Sequence, residues 1–253
     1  MKANARLILA VTGALALLPG MVAVIIHMPA FGRHPLPYGD AINRGAPVER
    51  HVTNMVTAVN FDYRSFDTIG EEFLLLAAVT GTLVLLRGRR GEGVSDAAAR
   101  ADSRPIRPPS EAVALTCRVC VPLILLFGIY VVLHAQLTPG GGFQGGAIIG
   151  SGTLLLYLGE RYRVWKRLIH PTVFDGVEAV GALIFVFAGL APMAAGAKFL
   201  ENTLPLGEMR ALISGGLILV ANAGVALAVA GGFTLLFLEF LEETRAMKPG
   251  EDP

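Results

Sequence analysis

Six long apolar runs constrain this chain more than any other feature of its sequence. They lie at about residues 7–27, 69–87, 113–134, 142–159, 177–195 and 211–238. A helix needs ~20 mostly apolar residues to cross the hydrocarbon core of a bilayer. Charged residues make up only 16% of the chain, against about 25% in a typical soluble domain. The sequence therefore predicts an all-α, polytopic membrane protein with about six transmembrane helices.

The basic residues between the runs predict the orientation of the chain. Lys2 and Arg6 precede the first run, as they would in a secretory signal, but that run continues to Ile26 and is longer than a usual signal. We therefore expect an uncleaved first span. With the N-terminus inside, most of the 21 Lys and Arg residues fall in cytoplasmic segments. Because positive residues are enriched on that side, both termini are predicted to be cytoplasmic.

A charged stretch at residues 89–109 divides the chain. It is rich in Ala, Gly and Pro and closes with Arg104-Pro105-Ile106-Arg107-Pro108-Pro109. Such a composition buries too little apolar surface to fold alone, so we interpret it as a linker. The predicted organisation is a two-span segment at 1–88, a four-span domain at 110–245 and a short tail at 246–253.

Polar residues between the first two spans predict a loop and a short helix. Met28–Val48 is rich in Pro and Gly and is expected to be an outer loop. From Glu49 to Asn60 apolar residues recur at helical spacing, which favours a short helix at the membrane surface. Thr68 and Glu71 then have the spacing of a capping box at the start of the second span.

Acidic residues near the ends of the spans are the first candidates for chemistry. Asp67, Glu71 and Glu72 lie around the start of the second span, and Glu178 lies inside the fifth. An acid inside a membrane helix is expensive unless it is paired or hydrated, and such residues carry protons or bind cations. Glu71 and Glu72 also have a structural interpretation, because the helix dipole favours acids near a helix N-terminus.

The third and fourth spans are joined by Thr138-Pro139-Gly140-Gly141-Gly142-Phe143-Gln144-Gly145-Gly146. Irregular backbone at membrane depth is tolerated only against protein or water, so this stretch indicates close packing, a bent helix start or a lined cavity. Its glycines match a dinucleotide fingerprint, but no strand precedes them and we reject the match. His134, just before the stretch, is either a proton relay or a histidine hydrogen-bonded at the membrane boundary.

Cofactor, metal and nucleic-acid sites are not expected. Cys117 and Cys120 form a single C-x-x-C without the second pair that a structural zinc site needs, and we interpret them as small apolar residues. The formal net charge of +1 gives no sign of nucleic-acid binding.

Two stretches together resemble one known family. His134 through Gly146 resembles the signature of the B subunit of Mrp-type multisubunit sodium/proton antiporters, and residues ~110–245 fit that subunit in length and four-span layout. Asn54 through Glu71 resembles the C-terminal end of the large A subunit, which is a small separate subunit in related membrane-bound hydrogenases. Gln136 departs from the family pattern, which often has a histidine three residues before the proline.

The resemblance implies a subunit of a large complex related to the membrane arm of respiratory complex I. Such complexes exchange Na⁺ for H⁺ or couple ion movement to a redox module, so the implied partners are hydrophobic subunits, including large antiporter-like ones, and the bilayer. No cofactor and no catalysis are implied for this chain. The candidate proton or cation relay residues are Glu71, Glu72, Asp67, His134 and Glu178, and Glu71 matches the glutamate of the family's Gly-Glu pair. A redox-driven complex and a purely structural subunit are the alternatives.

Overall fold

Helices account for nearly all the regular structure of the chain. The computed structural model describes residues 3–28, 37–91, 109–160 and 167–246, and these hold no strand beyond a lone bridge between Gly207 and Ser214. The helices are α1 (Ala3–His27), α2 (Pro37–Arg50), α3 (Met55–Ala58), a π-helical turn (Val59–Tyr63), α4 (Ser65–Gly91), α5 (Glu111–Leu133), α6 (Gly142–Gly159), α7 (Pro171–Ala194) and α8 (Leu217–Ala246).

Four of these helices are long and apolar enough to cross a membrane. They are the segments Ser65–Leu86, Glu111–Leu133, Pro171–Ala194 and Leu217–Glu243. The first predicted span corresponds to α1, which includes the apolar stretch Val11–His27, and the glycine-rich α6 is not among the four. The prediction of an all-α, polytopic membrane protein is confirmed.

The chain divides into two compact units, Met1–Ala41 and Ile42–Pro253. Within the second unit, one hydrophobic core joins residues from both sides of the predicted linker, such as Val52 and Phe61 with Phe185 and Ile218. Most of that linker (92–108), most of the basic inner loop (161–166) and the tail from 247 onward lie outside the described residues. The predicted domain boundaries therefore stay a prediction.

The segment before the second span is more helical than predicted. Residues 37–50 form α2 rather than a loop, with Pro37 at the helix start, where a missing N–H is no loss. The predicted surface helix begins only at Met55, where the Asn54 side chain accepts a hydrogen bond from Val56 N at 3.1 Å. The prediction of a capping box at Thr68 and Glu71 is wrong, because α4 already begins at Ser65. Thr68 Oγ1 instead donates to the Asn60 carbonyl at 2.6 Å.

The central element of the second unit is α8, against which α4, α6 and α7 pack. In α8, 67% of the apolar membrane-spanning stretch is buried inside the protein, against 33% or less in each of the other three candidate spans. Glycines let these helices approach closely, both α6 to α8 and α6 to α5. A Cβ on Gly146 of α6 would lie 2.7 Å from the Ala226 carbonyl of α8, and a Cβ on Gly145 would lie 2.9 Å from the Gly128 carbonyl of α5.

Side-chain amides hold the backbone of the loop between α5 and α6. Asn222 of α8 accepts from Gly142 N at 2.6 Å and donates to the Val132 carbonyl at 3.0 Å. From the other side, Asn54 Nδ2 donates to the carbonyls of Ala135 and Thr138, at 2.7 and 2.8 Å. The loop thus obtains the partners that lipid cannot supply.

We expect Gly146→Ala to destabilise the protein. The added methyl group meets the backbone of α8, so the two helices must separate, and overpacking of this kind costs about 1–3 kcal/mol. The matched control is Gly81→Ala, because nothing lies within 4 Å of a Cβ there. Thermal unfolding in detergent should show a lower midpoint for Gly146→Ala only, and equal midpoints would contradict the packing.

The loop contacts predict that Asn54→Ala and Asn54→Asp are both destabilising. Aspartate keeps the acceptor for Val56 N but loses the two N–H donors, and leaving a buried carbonyl unsatisfied costs about 1–3 kcal/mol. Asn43→Ala is the control, since Asn43 is exposed on α2. The same unfolding assay applies, and an Asn54→Asp protein as stable as the wild type would show that the donors are dispensable.

Candidate functional site

Two acids lie buried within the candidate membrane spans. Glu72 of α4 and Glu178 of α7 are 4% and 6% exposed. Among the described residues, Glu72 Oε2 and Glu178 Oε1 have no hydrogen-bond partner. Ionisable groups in this setting are rarely kept unless they serve a function. The pair is the candidate site.

Two glycines of α8 make room for Glu178. A Cβ on Gly231 would lie 2.6 Å from the Glu178 backbone nitrogen, and a Cβ on Gly232 would lie 3.0 Å from Glu178 Oε1. Any larger residue at these positions would push α7 away or displace the carboxylate. The Gly-Gly pair therefore positions the acid as well as packing the helices.

A cavity of about 430 Å³ opens between α4 and α7 beside Glu178. Its polar lining comes from Thr80, Asp175 and Glu178, and the rest of its wall is apolar. Carboxylate and hydroxyl oxygens suit protons, water and hard monovalent cations. No group of three or more His, Cys, Asp or Glu side chains in the described part of the chain could hold a metal ion.

None of the other three candidate residues is buried as this pair is. Glu71 is exposed on α4. Asp67 is also exposed and forms an ion pair with Arg64. His134 ends α5, where its ring stacks on Tyr130 with centroids 4.0 Å apart and its Nδ1 lies 3.0 Å from the Tyr130 carbonyl. Their roles as relay groups stay predictions.

Gln136, which stands where the family often has histidine, is almost fully buried, with 1% of its surface exposed. Its Nε2 donates to the Leu133 carbonyl at 3.1 Å and also to the Leu212 carbonyl. Its own backbone carbonyl accepts from the backbone N–H groups of Thr53 and Asn54. In this chain Gln136 therefore holds the loop between α5 and α6 in place.

Sequence reasoning missed Glu239 of α8, which is 2% exposed. The last predicted apolar run closes at residue 238, one residue before Glu239. Only the packing of α8 reveals that it is buried. The signal in the sequence was the apolar context on both sides, Leu238 and Phe240.

Sequence reasoning also missed a polar cluster that joins α2 to the loop before α8. Arg50 Nε donates to Asp62 Oδ1 at 2.7 Å, and Asn202 Nδ2 donates to Asp62 Oδ2 at 3.0 Å. Tyr63 donates to Glu49 at 3.0 Å, and partial burial together with this bond raises the pKa of Tyr63 to about 12. Because these bonds link distant parts of the chain, we interpret the cluster as structural.

Comparison with known proteins supports the sequence resemblance. The model for a domain related to the MnhB subunit of Na⁺/H⁺ antiporters matches residues 112–235. An uncharacterized protein of Methanocaldococcus jannaschii is 29% identical over 72% of this chain and 75% of its own length. The B subunit of the Na⁺/H⁺ antiporter of Alkalihalophilus pseudofirmus is 38% identical, and the match covers 34% of this chain and 58% of that protein.

A putative antiporter subunit mnhB2 of Staphylococcus saprophyticus is 34% identical over 45% of this chain and 82% of its own length.

Two solved structures have the same fold. A chain of the membrane-bound sulfane sulfur reductase, an archaeal respiratory membrane complex, superposes with a TM-score of 0.68 and 27% identity, covering 93% of this chain and 98% of its own. A chain of the Mrp complex from Dietzia sp. DQ12-45-1b superposes with a TM-score of 0.69 and 24% identity, covering 100% of this chain and 27% of its own. With the matches of sequence and fold taken together, the chain belongs to the MnhB family of antiporter subunits.

Proposed function

We propose that this chain is a membrane subunit of a multisubunit antiporter that exchanges a monovalent cation, Na⁺, for protons. The observation that carries the proposal is the buried pair Glu72 and Glu178, in a chain of the MnhB family, with a cavity beside Glu178 within the candidate membrane spans. An acid in that position can bind a proton or a cation, and releasing one for the other is the elementary step of antiport.

The arrangement of the pair explains how one ion could replace the other. A charged carboxylate is costly in buried, apolar surroundings, so a bound proton or cation is stabilised at each of these acids. The cavity next to Glu178 gives water or a hydrated ion access from between α4 and α7. Glu71, Asp67 and His134, which are not buried, would act as access groups.

Other membrane subunits are the proposed partners, including large antiporter-like subunits that carry the main proton channels. Many large side chains on α5 are exposed, among them Leu123, Leu126 and Phe127. An apolar face of this kind must contact lipid or neighbouring helices. In this proposal the chain contributes to the ion path and to assembly, has no catalysis of its own, and has both termini on the cytoplasmic side of a prokaryotic cell membrane.

A redox-driven ion pump is the second candidate. The observation that favours it is the chain of the archaeal sulfane sulfur reductase complex, 98% of which is covered by this fold. In such a complex this chain would have the same place in the membrane arm, and the redox groups would lie in other subunits. A purely structural role is the remaining alternative.

The subunit composition should separate the two complexes. We expect that the intact complex, purified through a tag on this chain and analysed by mass spectrometry, contains large antiporter-like subunits and no iron–sulfur or nickel proteins. Co-purifying iron–sulfur or nickel proteins would instead support the redox-driven pump.

Glu178→Gln and Glu72→Gln are each expected to lower cation-dependent antiport by about tenfold or more, because an amide cannot exchange a proton for a cation and tenfold equals ~1.4 kcal/mol on a barrier. The measurement is the ΔpH response to Na⁺ or K⁺ in everted membrane vesicles that contain the whole complex. The control is Glu111→Gln, an exposed acid at the start of α5. Full antiport by both variants in an assembled complex would rule out these roles.

A further inference from the structure

A third buried carboxyl lies on the face of α8 that meets the candidate pair. Glu239 comes seven residues after Gly232 on α8. In an α-helix, seven residues fall within about 20° of two full turns and rise ~10 Å. Glu239 is therefore on the same face as Gly232, which contacts both Glu178 and Val79.

Glu72 has the corresponding position on α4. A methyl group of Val79 lies 3.1 Å from where a Cβ on Gly232 would be, so this face of α4 meets α8. Glu72 comes seven residues before Val79, again about two turns and ~10 Å away on the same face. The two acids thus lie on opposing helix faces along one crevice.

The helices run in directions that place these acids at three different depths. Ile69 near the start of α4 belongs to a core cluster with Ile218 and Val225 near the start of α8, whereas Val79 and Leu83 cluster with Leu235. The two helices therefore run the same way. Along α8, Glu72 lies about 10 Å before the level of Glu178, and Glu239 lies about 10 Å beyond it.

Glu239 lies near the end of the bundle where α7 begins. Its neighbour Leu238 forms a small buried cluster with Ile169, just before the first residue of α7, and with Phe174. Glu72, in contrast, is seven residues from the first residue of α4, at the opposite end. The three carboxyls therefore extend through much of the membrane-spanning depth.

We propose that Glu72, Glu178 and Glu239 are successive stations of one proton path through the crevice between α4, α7 and α8. A proton leaves one carboxyl, passes along hydrogen-bonded water and is taken up by the next carboxylate. The inference rests on the proposed function, in which exchange for a monovalent cation drives the movement of the protons. Glu239 is its new member, and Gly232 is the residue that keeps the middle of the path open.

Besides the placement of the acids, two observations support a path. Glu72 and Glu178 are more than nine-tenths buried and, among the described residues, each has one carboxyl oxygen without a hydrogen-bond partner. The cavity of about 430 Å³ extends along α4 from Leu76, one turn past Glu72, to Val84, and reaches Glu178 and Asp175. Its lining includes Glu178 but neither Glu72 nor Glu239. At ~30 Å³ per water it has room for on the order of ten molecules around the middle acid of the path.

The first test compares Glu239→Gln with Glu239→Asp in vesicles containing the whole complex. We expect Glu239→Gln to lower the antiport rate by about tenfold or more, which is ~1.4 kcal/mol on the barrier, and Glu239→Asp to keep most of it, because aspartate still carries a proton. Gly232→Ala should also lower the rate, by displacing the Glu178 carboxylate. Glu208→Gln, an exposed acid in the loop before α8, is the matched control.

Full antiport by Glu239→Gln, in a complex where Glu178→Gln is inactive, would overturn the inference and leave the proposed function intact.

If the wild-type complex shows no antiport, the proposed function fails, and carbodiimide labelling of the wild-type complex decides the inference. The same labelling decides it if Glu239→Gln does not assemble. Dicyclohexylcarbodiimide modifies protonated carboxyls in apolar surroundings. Modification of Glu72, Glu178 and Glu239 but not Glu208, found by mass spectrometry, would support the path, and an unmodified Glu239 would refute it.

Discussion

The close approach of helix backbones to α8 is the constraint on which the rest of the structure depends. Where α6 and α7 meet α8, glycines stand at the contact, and a Cβ at Gly146 or Gly231 would collide with backbone atoms. This proximity brings the Asn222 amide to Gly142 N and leaves space for the Glu178 carboxylate beside Gly232. The scaffold and the candidate site therefore have one physical cause, because small residues let helices pack closely where lipid gives no hydrophobic drive between them.

Buried polar groups in this molecule fall into two kinds. The amides of Asn54 and Asn222 satisfy the backbone of the loop between α5 and α6, so they have a complete structural explanation. The carboxyls of Glu72 and Glu178 leave oxygen atoms without hydrogen-bond partners among the described residues, although the same surroundings make this expensive. Gln136 Oε1 and Ser214 Oγ are also without partners among the described residues, so the acids differ from the amides in carrying an ionisable group. In the proposed function, that group holds an ion that comes and goes.

The sequence was sufficient to predict the long helices, but not which face of each helix is buried. The third and fourth runs, 113–134 and 142–159, agree closely with α5 and α6, because span length follows from hydrophobicity alone. Glu71 and Glu72 could not be told apart, since adjacent residues differ by a rotation of about 100° and only the neighbouring helices decide which one is buried. α2 was missed because its Pro and Gly content is typical of a loop.

The covalent connection of the two pieces bears directly on the site. Glu72 belongs to the helix that follows the segment resembling the end of an antiporter A subunit, whereas Glu178 and its glycine neighbours belong to the MnhB-like domain. If the pieces were separate chains, the acids would meet only when two subunits had assembled. In a single chain, the effective concentration of one piece for the other is set by the connecting segment and does not depend on how much of each is made. The helices α4, α7 and α8, which carry the candidate acids and their glycine neighbours, are therefore all supplied by this one chain.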